Sequence, residues 1–383
     1  MPDELKRGLE GVLVAESGLS HVDGEVGKLV YRGYDIDDLA HEATYEEVLY
    51  LLWNGELPTR AELDAFTAEL DAEHDVHDDV LETVAELADA DEKPMAALRT
   101  ATSMLSAYEP EADADAEDRE AAIHKGRRIT AKMPTVLAAF ERARQGKEPV
   151  DPKPELSHAA NFLYMLTGTE PDEVSEETFD MALTLHADHG LNASTFTAMV
   201  IGSTMADVYS GVVGGIGALS GPLHGGANQD VMDLLHEVDD SEKGPVEWVK
   251  DARDDGRRVP GFGHRVYKVK DPRAHILEEK LRDLSESSGD TKWLEYTTAI
   301  EQYLSEDEGL AEKGIAPNVD FYSGSVYDHL GIPMDLYTPI FAMSRAGGWI
   351  AHMLEYQEDN RLIRPRARYT GATDAEFVPI DDR

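Results

Sequence analysis

The chain has 383 residues, 42% of them apolar, enough for more than one core, and no cysteine, which excludes disulfides, thiolate metal sites and a cysteine nucleophile. Its 35 basic and 77 acidic residues leave a formal charge of −42, a field that repels nucleic acid and anionic lipid. No run approaches the roughly 20 apolar residues that span a bilayer, and Met1-Pro-Asp-Glu-Leu-Lys-Arg lacks the basic start and apolar run of a signal peptide, so a cytoplasmic protein is expected.

In chain order, Ser17 to Tyr31 carries the turn signal Asp23-Gly24 followed by Leu29-Val30-Tyr31, and predicts a small hairpin. Thr44-x-x-Glu47 is a capping box that opens a helix through Trp53, with Gly55 at its end. Thr59-x-x-Glu62 opens the next, with Leu63, Phe66 and Leu70 at helical spacing. Glu109 to Glu120 and Pro149 to Pro154 read as loops. Ser175-Glu-Glu starts a helix that carries Phe179, Ala182, Leu183 and His186 on one face, and Thr338-Pro339 starts another that runs to about Glu355. The glycine-rich run Gly211 to Gly226 lacks both a preceding parallel strand and the Gly-x-Gly-x-x-Gly pattern of a nucleotide loop. Its first glycines, Gly211 to Gly221, suit a hinge instead. No βαβ alternation and no repeat appears, so the expected architecture is all-α, multi-helical and two-domain, with one small N-terminal hairpin.

The charge admits three readings. Disorder conflicts with the periodic apolar content, and a calcium buffer lacks the Asp-x-Asp-x-Asp-Gly loop. Salt adaptation fits, because dense carboxylates stay hydrated where salt screens ordinary repulsion. The basic residues comprise 14 Lys and 21 Arg, and a Lys-poor acidic composition resembles that of halophilic proteins.

Four clusters put titratable residues beside Gly or Pro at breaks between periodic segments: Leu185–Thr195, Ser220–Gln229, Val259–Arg273 and Lys313–Gly324. Each has a plainer reading. His186 lies on an apolar face and suits a core position. His186 and His189 lack a third ligand at zinc spacing. Asp320 suits a helix cap. Arg345, in line with Phe341, Gly348 and His352, needs an anion that is either a structural carboxylate or a ligand. Together they supply acid–base groups and arginines without a nucleophilic cysteine. That inventory suits proton abstraction beside a carbonyl on a polyanionic small substrate.

The segment Gly261-Phe-Gly-His264-Arg-Val-Tyr-Lys268-Val-Lys-Asp-Pro-Arg273 resembles the citrate synthase signature, and the other clusters resemble that family in the same order. Gly8-Leu-Glu-Gly-Val and Tyr31-Arg-Gly-Tyr-Asp-Ile are similar to its short archaeal and bacterial form, which lacks the NADH-sensing N-terminal domain. The resemblance implies that Asp320 removes a methyl proton from acetyl-CoA, His224 hydrogen-bonds the thioester oxygen, and His264 polarises and protonates the keto oxygen of oxaloacetate. It places oxaloacetate on His189, Arg273 and Arg345, with Arg364 reaching in from the partner of a homodimer. Coenzyme A, as cosubstrate, is expected along Val259, Pro260, Gly261, Phe262 and Gly263. Lys268, Lys313 and Asn318 are further contacts, against the plainer reading of Lys268 and Lys313 as surface lysines. No tightly bound cofactor and no metal is implied. The resemblance also implies a large helical domain, residues 1–220 and 326–383, around a smaller one, residues 221–325. Two alternatives stand beside this reading: a 2-methylcitrate synthase using propionyl-CoA, and a non-catalytic helical protein that binds a small acid.

Overall fold

Helix caps written into the sequence set most of the element boundaries. The computed structural model describes residues 5–383; Met1 to Glu4, the start of the leader reading and of the first domain segment, lie outside it. Strands β1 (Ser20–Asp23), β2 (Lys28–Tyr31) and β3 (Tyr34–Asp35) form an antiparallel sheet in the order β1-β2-β3. Asp23 pairs with Lys28, so the hairpin closes on a four-residue loop instead of a two-residue Asp-Gly turn. Asp23 Oδ1 accepts from the Glu25 amide at 3.0 Å and shapes that loop.

Helices follow without a further strand among the described residues. They are α1 (Ile36–Glu42), α2 (Tyr45–Asn54), α3 (Arg60–Asp71), α4 (Asp78–Asp89), α5 (Pro94–Leu105) and α6 (Arg119–Arg144). Next come α7 (His158–Thr167), α8 (Glu173–His186), α9 (Ala193–Gly202), α10 (Val208–Leu219), α11 (Ala227–Asp239) and α12 (Pro245–Asp254). The last are α13 (Pro272–Ser288), α14 (Lys292–Ser305), α15 (Glu308–Ala311), α16 (Asp320–His329) and α17 (Tyr337–Glu358). The all-α reading with one N-terminal hairpin therefore holds. No helix among the described residues is long and apolar enough to cross a membrane.

Both capping boxes form: Thr44 and Thr59 accept from the amides of Glu47 and Glu62, whose carboxylates reach back to the cap amides. Gly55 ends α2 in the left-handed region, φ +94°. The helix expected at Ser175 begins at Glu173, because Asp172 caps it by accepting from the Ser175 amide at 2.8 Å. The helix expected at Thr338 starts at Tyr337, continuing a 3-10 turn over Met334–Leu336. Glu109, in the expected loop, is buried: its carboxylate takes the Nε of Arg128 at 3.0 Å and the hydroxyl of Tyr209 at 2.7 Å.

The buried centre is α17, whose residues from Tyr337 to Leu354 are almost all buried, wrapped by α2, α6, α8, α9 and α10. Two glycines of α10, in the stretch expected to serve as a hinge, are close-packed. A Cβ on Gly215 would lie 2.7 Å from the Trp349 ring, and one on Gly214 would lie 2.2 Å from Ile201 Cδ1. Helices α11 to α16 pack chiefly on one another, with α13 also resting on α1 and α8.

Candidate active site

The four sequence clusters meet at one cleft of about 830 Å³, lined by His189, His224, His264, Arg273, Asp320 and Arg345 with Asn192 and Phe341. His224 sits in the turn between α10 and α11. Gly225 makes that turn possible, since a Cβ there would lie 2.2 Å from the Leu219 carbonyl oxygen. The Ser194 amide, in the first turn of α9, donates to His224 Nε2 at 3.1 Å. An amide can only donate, so Nε2 carries no proton and Nδ1 holds it. Burial first, then Arg345, pulls the His224 pKa down to about 4. Ser194 Oγ stands 2.8 Å from the same nitrogen, held by Trp349 Nε1 at 3.1 Å and Asn192 Oδ1 at 2.7 Å.

His264 has the opposite tautomer for the same reason. The amides of Val266 and Tyr267 donate to its Nδ1 at 3.0 and 3.1 Å, which leaves the proton on Nε2. Burial, with Arg273 next, takes its pKa down to about 4. At His224 and His264 the cleft thus presents neutral imidazoles, each with one N–H whose position the backbone dictates.

Asp320 opens α16, and its amide donates to Asn318 Oδ1 at 3.0 Å. Asn318 donates in turn to the Gly263 carbonyl, 2.9 Å from its Nδ2, so it ties the start of α16 to the His264 loop. The segments also run side by side, with the Gly263 amide on the Ala316 carbonyl at 2.8 Å and the Asp271 amide on that of Pro317 at 3.0 Å. The Asp320 carboxylate accepts no hydrogen bond from a described residue. Burial pushes its pKa up to about 6, with Arg273 opposing. Asp320 is therefore no side-chain cap: it combines an open carboxylate with raised basicity.

The cations around the cleft differ in what they have left to give. Arg345 is 1% exposed, and its Nε donates to the His186 carbonyl. Its Nη2 is buried with no hydrogen-bond partner among the described residues. Burial lowers its pKa to about 10 against the opposing pull of Asp188. Arg273 gives Nε and Nη2 to Asp271 at 3.0 and 2.7 Å. Burial works against its charge, but Asp271 outweighs this and holds the guanidinium above its ordinary value. His189 Nε2 lies 3.2 Å from the Tyr267 hydroxyl, and burial, with Arg273 and Arg345, holds the ring well below its usual pKa. His186 points into the core, Nδ1 on the Ala182 carbonyl at 2.7 Å. Arg364 is exposed and does not line its own chain's cleft.

Val259, Pro260, Phe262 and Gly263 line a second cavity, of about 910 Å³, with Arg253, Arg257 and Arg258 at its edge. Gly263 borders both cavities, so they adjoin. Gly261 lines neither. With φ +76° and a Cβ position 2.8 Å from Phe321 Cβ, it is the close-packed residue that lets the loop cross α16. Lys268 and Lys313 stand outside both linings. Among the described residues no group of three His, Cys, Asp or Glu side chains is placed to hold a metal ion.

Several contributors carry no local signal. Asp188 is fully buried, accepts from His352 Nε2 at 3.1 Å and supplies the negative charge behind Arg345. The Tyr31 hydroxyl donates to the Asp188 carbonyl at 2.6 Å.

A family model described as the C-terminal domain of citrate synthase matches residues 8–366. The chain is 65% identical to a citrate synthase of Haloferax volcanii over 100% of both chains. The citrate synthase structure from Pyrobaculum aerophilum superposes with a TM-score of 0.92 at 42% identity, over 98% of this chain and 95% of that one. A Thermoplasma acidophilum citrate synthase, in a ternary complex with carboxymethyl coenzyme A and oxaloacetate, gives 0.90 at 34% identity over 99% and 100%.

Proposed function

The chain belongs to the citrate synthase family, and from that premise we propose that it joins acetyl-CoA to oxaloacetate and water, giving citrate and coenzyme A. As an acyltransferase it would feed acetyl units into the tricarboxylic acid cycle from the cytoplasm. The observation that carries this reading is the pairing of one open carboxylate, raised to about 6, with two neutral imidazoles of dictated tautomer around one cleft.

The steps follow from those protonation states. A thioester α-proton is weakly acidic, so a carboxylate removes it only if the forming oxyanion is stabilised at once. Asp320 takes the methyl proton while the Nδ1–H of His224 donates to the thioester oxygen. The enol carbon attacks the keto carbon of oxaloacetate, and the Nε2–H of His264 delivers the proton that turns the keto oxygen into a hydroxyl. Water then cleaves the citryl thioester to citrate and coenzyme A. A cationic imidazole at either position would compete for the base; neutral rings donate without doing so.

Oxaloacetate sits on Arg345, whose unpaired Nη2 awaits an anion, with Arg273 and His189 beside it. Coenzyme A runs along Val259, Pro260, Phe262 and Gly263 into the adjoining cavity, with Lys268 and Lys313 toward its phosphates. Asn318 serves it indirectly by fixing that loop. Residues 221–325 form a small domain that closes on the large one, a division supported by the mutual packing of α11 to α16. A homodimer is supported by α9 and α10. They carry Phe196, Val200, Ile201 and Val213 half-buried on their outer faces, an apolar surface a second copy would cover.

The test is thiol release from acetyl-CoA, with and without oxaloacetate, in molar KCl. Release that depends on oxaloacetate is expected, and none at all removes the reading. One methylene discriminates by only about 1–3 kcal/mol, so the ratio of kcat/KM for acetyl- and propionyl-CoA decides the acyl donor. A preference for propionyl-CoA assigns the chain to 2-methylcitrate synthesis instead.

A further inference from the structure

The N-terminal hairpin spans the two walls of the cleft. Ser20, His21 and Val22 of β1 line it. At the start of the strand, Ser20 Oγ accepts from the Gly190 amide at 3.0 Å, next to His189. At the tip, the Gly24 carbonyl accepts from the Lys268 amide at 2.8 Å, on the opposite wall. The tip is in close contact there. A Cβ on Gly24 would lie 2.0 Å from the Val266 carbonyl oxygen, and one on Gly27 would lie 2.8 Å from Val269 Cγ2. Gly24 is not in the left-handed region, so what excludes a side chain at this position is contact with Val266, chiefly its backbone.

We infer that the β1–β2 hairpin is a brace that sets the spacing of the two walls, and that Gly24 is a positioning residue for His264. The chain of contacts is short. The stretch from Arg265 to Lys270 has no helix or strand of its own. Its amides at Val266 and Tyr267 hold His264 Nδ1, and the next amide, that of Lys268, is held by Gly24. Pushing the tip away releases the third bond and moves the carbonyl beside the first two. His264 then loses the donors that fix its proton on Nε2. This rests on the reading of His264 as the group that polarises the keto acid.

The experiment is Gly24→Ala, with the exposed neighbour Glu25→Ala as control. For Gly24→Ala, kcat should fall about 10- to 100-fold, since a shift near 1 Å at a reacting group costs that much. Each KM should stay within about threefold, because substrate binding rests mainly on other residues. The thermal midpoint should move by no more than a few degrees, whereas a merely structural role would lower the midpoint and spare kcat. Hydrogen exchange of the peptide covering residues 264–270 should quicken at least about tenfold. Glu25→Ala should match wild type in all four. A Gly24→Ala kcat within about twofold of wild type overturns the inference, as does a fall in kcat with unchanged exchange of that peptide. If the variant does not fold, wild-type exchange decides: protected amides at Val266, Tyr267 and Lys268 support the brace, and unprotected ones overturn it. A wild type that releases no thiol yet protects these amides removes the citrate reading and leaves the brace.

Discussion

Asp320 is a carboxylate that the folded chain would hold more easily as an acid. Its pKa rises from 3.8 to about 6, so between those values the folded state binds more protons than the unfolded one. Stability from this group is present below pH 4 and declines as pH rises toward 6, leaving a burden on the order of 2–3 kcal/mol at neutral pH. Asp320→Asn should therefore raise the thermal midpoint at pH 7.5 while lowering kcat at least about 100-fold; a variant both less stable and active would contradict the assignment. With Asp320 as the base, the same residue should set the acid limb of the pH profile. His224 and His264 are already neutral above about 4, so kcat/KM should fall with a single-proton slope below about pH 6. A limb near 4 would mean an ordinary carboxylate is the base. At this scale the sequence singled out His224 and His264, each beside a glycine, and Asp320, three residues after Pro317, and the fold brings all three to one cleft. Asp188, Ser194 and Tyr31 fall in segments it singled out but without a role, because their roles exist only through partners distant in the chain, such as His352, His224 and the Asp188 carbonyl. Asn318 was expected as a coenzyme A contact; what its side chain also does, joining Gly263 to Asp320, was not legible.

Elements were legible where their boundaries are encoded locally. The boxes at Thr44 and Thr59 and the glycine at 55 place α2 and α3 because cap, helix and stop lie within a few residues of one another. The start of α8 moved two residues because Asp172 outcompetes Ser175 for the cap, a contest between two good caps that spacing alone does not settle. The packing of Gly214 and Gly215 was not legible because a glycine that allows rotation and one that allows close approach look alike in sequence; only the neighbour shows the close approach. That distinction is measurable. On Gly348 a Cβ would lie 2.3 Å from the Ala187 carbonyl oxygen and 2.9 Å from Asp188 Oδ1, both fixed in place. On Gly211 it would meet only the flexible end of Met353, at 2.1 Å from Sδ. Gly348→Ala should thus cost about 2–4 kcal/mol, by forcing α17 off α8. Gly211→Ala should cost under about 1 kcal/mol, since Met353 can turn aside and alanine favours the helix. Chemical denaturation of both variants checks the ranking, and equal costs would refute it.

At the scale of the whole molecule, the charge of −42 and the open C-terminal segment govern behaviour. Screening reaches about 10 Å at 0.1 M salt and about 3 Å at 1 M. If the surface is salt-adapted, dialysis from molar KCl to low salt should inactivate the enzyme as its carboxylates repel one another; full activity at low salt would remove that reading. The C-terminal segment raises the question of where one site ends. Beyond α17 the chain runs exposed, with Leu362 55%, Tyr369 71% and Phe377 80% open to solvent. Arg364 lies in this segment and away from its own cleft. If a partner's Arg364 completes each site, the two defects Asp320→Asn and Arg364→Ala lie in different chains of any mixed dimer. Each homodimer then lacks one component at both sites and should be nearly inactive. In a mixed dimer, the chain with an intact Asp320 receives an intact Arg364 from its neighbour, so one site in two is whole. Random exchange of equal amounts makes half the dimers mixed, and activity should recover to about a quarter of wild type. Had Arg364 served its own chain, no mixed dimer would hold a complete site, and co-refolding the two variants would restore nothing.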